Sequence, residues 1–238
     1  DPCDPEEAIP GGARYLLAGR FGEEARTMVR MGLGMVVLLA PLQLVIGDFH
    51  GLNTAKHQPA KVAAMEGHWD GAKPAPLLLF AWPDEANERN KAEIGIPNLA
   101  SLIITHRIDG LFPGLRDFPR DERPPVAPVF FSFRLMVALG TAMIALGLVG
   151  AWLWRRGRVF DTRWYLHIVA HSWWTGFVAV VAGWTVTESG RQPWLVYGLL
   201  RTADAVSPVT ASSVAVTLAL FVVAYGIVFS AGIYYINR

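Results

Sequence analysis

The sequence predicts an all-α integral membrane protein with four transmembrane helices and a long extracytoplasmic loop between the first and second. Three observations predict it. The 238 residues are 53% hydrophobic and 17% charged, too apolar for an ordinary soluble domain. Four segments are apolar over the roughly 20 residues that a helix needs to cross a bilayer. The arginines at the entry to the first segment (Arg14, Arg20, Arg26, Arg30), in the short connection between the second and third (Arg155, Arg156, Arg158, Arg163) and at the last residue, Arg238, share one side of the membrane if the helices alternate, whereas the long loop of residues 48–127 is too long for the rule to constrain.

Residues 1–23 read as an N-terminal cytoplasmic segment. Residues 1–12 are acidic and rich in Pro and Gly, without the basic-then-apolar pattern of a signal peptide. Cys3 is the sole cysteine, so no internal disulfide forms. The first span covers residues 24–47. Its apolar run begins only at Met31, so Arg26 and Arg30 must snorkel to the interface. Pro41 is positioned to kink it near its end.

Residues 48–127 are polar, mixed in charge and rich in Pro and Gly, with apolar stretches at Pro76–Trp82 and Ile94–Ile104 that argue for a folded extramembrane loop. The second span, 128–154, carries one charge, Arg134. A short cytoplasmic loop, 155–163, holds Arg155, Arg156, Arg158 and Arg163. The third span, 164–187, and the fourth, 210–236, contain no Asp, Glu, Lys or Arg, and residues 188–209 form the second outer loop. All four spans exceed strand length and lack strict alternation, which selects helix. Nine tryptophans suit aromatic belts at two interfaces. A net charge of +1 gives no electrostatic basis for a nucleic-acid partner.

Three segments combine residue types that can carry chemistry. Glu188 and Arg191 stand at the outer end of the third span, where ionisable groups are costly and face a partner, a cofactor or water. Their i, i+3 spacing also allows a simple interfacial ion pair, and both readings stand. Trp184 lies four residues before Glu188 and shares its helical face. In the second span, Met136 offers a soft axial ligand for haem iron and Arg134 a cation for a propionate; a lone helical methionine is more commonly packing. In the outer loop, Pro59 is suited to the first turn of a short helix that carries Lys61 and Glu66. These two suit a substrate that gives up protons on oxidation, or else form a surface salt bridge. His167 and His171 have a spacing that can hold one metal, although an interfacial polar pair is the simpler account.

Together these segments resemble subunit I of bacterial cytochrome bd-type quinol oxidases, most strongly the short-loop, cyanide-insensitive branch. The resemblance is carried by Gly51-Leu52-Asn53-Thr54 with Gln58-Pro59-Ala60-Lys61-Val62-Ala63-Ala64-Met65-Glu66-Gly67; by Ser132-Phe133-Arg134-Leu135-Met136-Val137; by Gly183-Trp184 through Glu188 to Gly190-Arg191-Gln192-Pro193-Trp194; and by Tyr197-Gly198-Leu199-Leu200-Arg201-Thr202-Ala203-Asp204. It runs from about residue 14 to the end.

The resemblance implies roles. Met136 matches an axial ligand of the low-spin haem b iron, with Arg134 beside that haem. Glu188 matches the ligand of the high-spin haem b iron, Trp184 an aromatic packed among the haems, and Arg191 their charge partner. Lys61 and Glu66 match quinol-binding positions. The third haem is haem d or another haem b. The implied whole is a quinol:oxygen oxidoreductase of the bacterial cytoplasmic (inner) membrane, electrogenic without proton pumping. Its implied partners are a subunit II, a small accessory subunit, membrane lipid, quinol and oxygen. No histidine precedes His50, so the family's histidine ligands to the low-spin haem and the oxygen-site haem would come from a missing N-terminal half of subunit I, and no complete catalytic set is expected within this chain. The rival reading is a truncated or separately encoded non-catalytic four-helix fragment with partial haem binding. A small transporter is disfavoured, because the spans lack paired broken segments at mid-membrane.

Overall fold

The computed structural model describes residues 8–206 and 208–236. The elements in order are α1 (Ala8–Leu17), α2 (Gly22–His57), α3 (Pro59–Glu66), the strands β1 (Leu77–Asp84) and β2 (Arg89–Ile96), α4 (Leu99–Thr105), α5 (Val126–Arg155), α6 (Arg163–His171), α7 (Thr175–Arg191), the short strands β3 (Trp194–Val196) and β4 (Leu200–Arg201), and α8 (Ala211–Ile236). Three helices, α2, α5 and α8, are long and apolar enough to cross a membrane. α6 and α7 make a fourth span if the pair, bent by 43°, counts as one.

The expectation of an all-α chain is corrected by two antiparallel hairpins, β1–β2 and β3–β4. The alternation at Pro76–Trp82 thus belongs to a strand, and the second apolar stretch divides between β2 and α4. The segment before the first span also gains a helix, α1. Its Ala13 packs in a core with Leu33 of α2, Leu153 of α5 and Tyr165, Leu166 and Val169 of α6.

The first span outruns its expected end. Gly47, Asp48 and Gly51 do not stop α2, because glycine inside a helix costs only about 1 kcal/mol. The helix passes through Pro41 and ends where Gln58, the residue before Pro59, leaves helical geometry at φ −139° and ψ 63°, as pre-proline sterics favour. The Gly51–Thr54 segment is therefore helical and not loop. The third span is broken instead of continuous. At the break the Ser172 hydroxyl donates to the Val169 carbonyl and the Thr175 hydroxyl to the Ser172 carbonyl, side-chain bonds that compete with the helical ladder.

Arg26 and Arg30 lie over the ring of Phe160, 5.7 and 5.2 Å from its centroid. This joins the cationic start of α2 to the arginine-rich α5–α6 connection, so both occupy one side. On the opposite side α3 packs between α5 and α7, with Ala63, Ala64, Trp69, Leu115, Val126, Val129 and Val186 forming one buried cluster. α8 is exposed along its described length.

The chain between α3 and α5 folds back on itself through glycine contacts. A Cβ on Gly114 would stand 2.5 Å from the Gly71 nitrogen and 2.7 Å from the Trp69 carbonyl oxygen, and backbone atoms cannot swing aside. Gly114→Ala is expected to lower stability by about 1–3 kcal/mol, the cost of overpacking, seen as a lower midpoint in thermal melting of the membrane-extracted protein. An unchanged midpoint would show that this close approach is dispensable.

Candidate functional site

Proline at the first helical position starts α3, and Gly67 closes it in the left-handed region at φ 63°. The Gly67 N–H bonds to Ala64 and the His68 N–H to Ala63, a paired closure that satisfies the last carbonyls. The same helix directs Lys61 and Glu66 to different partners, so the surface salt bridge between them does not form.

Glu66 is buried. Its Oε2 accepts a 2.6 Å hydrogen bond from Arg134 Nη2, and the two side chains are 9% and 13% exposed. Arg134 lies 5.1 Å from the ring centre of Phe130 and 5.4 Å from that of Phe133. Burial pushes the Glu66 carboxyl above its ordinary range, and the guanidinium offsets part of that rise. Arg134 Nε is buried without a hydrogen-bond partner among the described residues.

Lys61 reaches the far end of α7. Its aliphatic stem covers Gly190, where a Cβ would meet Lys61 Cγ and Cε at 3.0 Å. Burial lowers the Lys61 pKa most; the Glu188 carboxylate opposes this and Arg191 adds to it. Glu188 Oε2 accepts from Arg191 Nη2 at 2.8 Å, the i, i+3 pair that the spacing allows. Its other oxygen accepts no hydrogen bond among the described residues. The carboxylate is 44% exposed, and Trp184 on the same helix is 66% exposed. Trp184 is thus outward-facing within this chain, with no packed surround of its own.

Met136 is half-buried against α7: a Cβ on Gly183 would lie 2.9 Å from its sulfur. The glycine leaves space that any larger residue would take from the thioether. Loop contacts fix the start of α5, since the Val126 and Ala127 amides donate to Glu85 Oε1 at 2.8 and 3.3 Å. Arg120 and Arg123 both donate to Glu88 Oε1 at 2.8 Å, bracing the hairpin against the approach to α5.

The metal reading of His167 and His171 is not supported. His171 Nδ1 bonds to the His167 carbonyl oxygen at 2.7 Å, both side chains are exposed, and among the described residues no group of three or more His, Cys, Asp or Glu is placed to hold an ion. Sequence reasoning also missed His68, which is buried with its ring 4.6 Å from that of Phe112, and Asn90, which accepts from Trp69 Nε1 and donates to the Gly67 carbonyl. No spacing rule marks either residue.

The donor set fits haem groups. The Met136 thioether lies in a glycine-cleared notch, and among the described residues the Glu188 carboxylate has one oxygen that accepts no hydrogen bond and Arg134 Nε lacks a partner of the kind a propionate would supply.

The family model described as Cytochrome bd terminal oxidase subunit I matches residues 11–238. A Bacillus subtilis protein, cytochrome bd ubiquinol oxidase subunit 1, is 38% identical over 190 residues, covering 75% of this chain and 41% of that protein. The cytochrome bd-II ubiquinol oxidase subunit 1 of Escherichia coli is 29% identical, covering 95% of this chain and 57% of that protein. Among solved structures, the bd oxidase from Geobacillus thermodenitrificans superposes with a TM-score of 0.80 at 26% identity, covering 95% of this chain and 52% of its own. The chain thus spans about half the length of the relatives it matches. With a family model covering nearly its whole length, this chain belongs to the cytochrome bd terminal oxidase subunit I family.

Proposed function

We propose that this chain forms the quinol-side part of subunit I of a respiratory oxidase that oxidises quinol and reduces oxygen to water. The observation that carries the reading is convergence. Segments far apart in sequence meet around α3, where Glu66 pairs with Arg134, two residues from Met136, and Lys61 packs beside Glu188 and Arg191. A proton-handling helix thereby bridges the two positions suited to iron.

In this reading Lys61 and Glu66 bind the quinol. Glu66, whose carboxyl is raised by burial, accepts a hydroxyl proton when the quinol is oxidised. Arg134 holds that carboxylate in place. Met136 would hold the low-spin haem b iron, and Glu188 the high-spin haem b iron, with Arg191 anchoring the carboxylate and Trp184 lining the outward face of α7. Bound haem supplies the one-electron acceptor chemistry that side chains lack. A third haem, d or b, and the remaining axial ligands would sit on protein beyond these residues, with a subunit II and a small accessory subunit as partners. In this reading residues 155–163, rich in arginine, lie on the cytoplasmic side of a bacterial inner membrane, as the positive-inside rule favours, and residues 48–127 and 188–209 lie outside. Release of quinol protons outside, with oxygen's protons taken from inside, builds a proton-motive force without a pump.

The test is a dithionite-reduced minus oxidised spectrum of the membrane-extracted complex containing this chain. The parent should show haem b bands. Met136→Leu should lose the low-spin band and keep the high-spin one. A parent without haem bands would favour the non-catalytic fragment, and a Met136→Leu spectrum identical to the parent's would remove Met136 from the iron.

A further inference from the structure

We propose that the β1–β2 hairpin is a lipid anchor: its apolar face lies in the headgroup–acyl boundary of the bilayer and seats the loop that follows α3 on the membrane. The inference stands apart from the quinol reading and needs only that α5 crosses the membrane. α5 has 30 residues. At 1.5 Å per residue it is about 45 Å long, against a hydrocarbon core of about 30 Å, so its first turns stand in the interface. The hairpin runs down this end of the helix. Near the tip, Glu85 accepts from the Val126 and Ala127 amides, where α5 begins. Further along the same strand, the rings of Trp82 and Phe80 lie 5.6 and 6.3 Å from that of Phe131. Phe131 is five residues into α5 from Val126, about 7–8 Å deeper. β1 therefore leads from water toward the acyl chains.

The residue types follow that gradient. The tip carries Asp84, Glu85, Glu88, Arg89 and Lys91, and Lys91 Nζ pairs with Asp84 at 2.5 Å. The deeper part carries Leu79, Phe80, Trp82, Ile94 and Ile96, each at least 45% exposed. Phe80 stands opposite Ile94 and Trp82 opposite Lys91 across the ladder, and opposed residues share a face. A clustered apolar face on a polar loop marks an interaction site. The register against α5 identifies the partner. At that depth a surface meets lipid, and a Trp beside a Lys with a long apolar stem suits the boundary between acyl chains and headgroups. The open strand edges fit the interface and exclude the hydrocarbon centre, where unpaired backbone groups are not tolerated.

The anchor is tied to α3. Asn90 of β2 donates to the Gly67 carbonyl and accepts from Trp69 Nε1. Leu78 and Ala81 of β1 pack with Phe130 of α5, and the Gly67 position lies against both Phe130 and Leu78. A hairpin seated in lipid thus holds the last turn of α3, which carries Glu66, at the level of the interface. The outer loop is then a membrane-associated unit and not a domain free in water.

The test places a nitroxide label on the face, through Leu79→Cys or Phe80→Cys with Cys3→Ser, in the complete complex held in phosphatidylcholine nanodiscs. Power-saturation EPR compares collisions with oxygen, which concentrates in lipid, and with a water-soluble nickel chelate. Oxygen should dominate at positions 79 and 80, and the order should reverse at Lys73→Cys, whose side chain is 79% exposed on the loop. Nickel dominating at 79 and 80 would put the face in water. Weak collisions with both reagents would put a protein partner on it. Either result overturns the proposal. An unlabelled complex gives a second reading if the labelled variants do not fold. In nanodiscs of lipids brominated near the headgroup, part of the parent's quenched tryptophan emission should be missing from Trp82→Phe. A quenched emission equal to the parent's would overturn the anchor.

Discussion

Arg134→Met is expected to destabilise the protein by about 3 kcal/mol at neutral pH, the low end of the ~3–5 kcal/mol seen when one member of a buried ion pair is removed. The low end applies because Glu66 can relieve the loss by taking up a proton. The pH dependence has a definite sign. Burial already holds the Glu66 carboxyl above its unfolded value, and removal of the guanidinium raises it further. A carboxyl with a raised folded pKa binds its proton more tightly when folded, so stability falls as pH climbs from the unfolded value through the folded one. The variant's deficit should therefore be largest at neutral and alkaline pH and shrink toward the ordinary carboxylate range. The double variant Glu66→Gln, Arg134→Met removes both charges and should regain most of the stability. Thermal melts of the extracted complex across pH would show this. A single variant as stable as the parent at every pH would mean that the pair does not hold α3 to α5.

What could be read from the sequence follows the kind of signal each feature leaves. The α5 and α8 spans emerge nearly to their ends, because a continuous apolar run specifies them without help from neighbours. The α2 boundary was misplaced because Gly47, Asp48 and Gly51 resemble a loop; Gln58 before Pro59 is the actual stop. The break between α6 and α7 lies in Ser172-Trp173-Trp174, which is apolar enough to read as helix; its cause is hydroxyl-to-carbonyl bonding that hydropathy does not register. Pro59 correctly marked the start of α3. The Glu66–Arg134 pair spans 68 residues, and no local pattern relates its members. The Glu188–Arg191 pair was visible because it is one helical turn apart. The approach of Lys61 to Gly190 depends on the packing of α3 on α7, so sequence alone could name the residues and not their partners.

Glu188→Gln should have the largest effect on activity. The substitution keeps the size of the side chain and an oxygen for Arg191 to bond, so packing changes little. It removes the negative charge and the hard oxygen suited to ferric iron. It also removes the carboxylate that raises the Lys61 pKa, leaving burial and Arg191 to lower it further. Two cations then face each other without a carboxylate between them. The expected result is loss of the high-spin haem b band with the low-spin band retained, because Met136 belongs to a different helix. Quinol oxidation should fall by more than the ~10–100-fold that loss of an outer-shell partner costs at a metal site. Arg191→Gln supplies that milder comparison: the carboxylate remains, its 2.8 Å anchor is gone, and the high-spin haem should bind more weakly instead of disappearing. Titration of the purified complex with haem, followed by absorbance, ranks parent, Arg191→Gln and Glu188→Gln in that order. A full high-spin complement in Glu188→Gln would instead reduce the pair to an ion pair closing the end of α7.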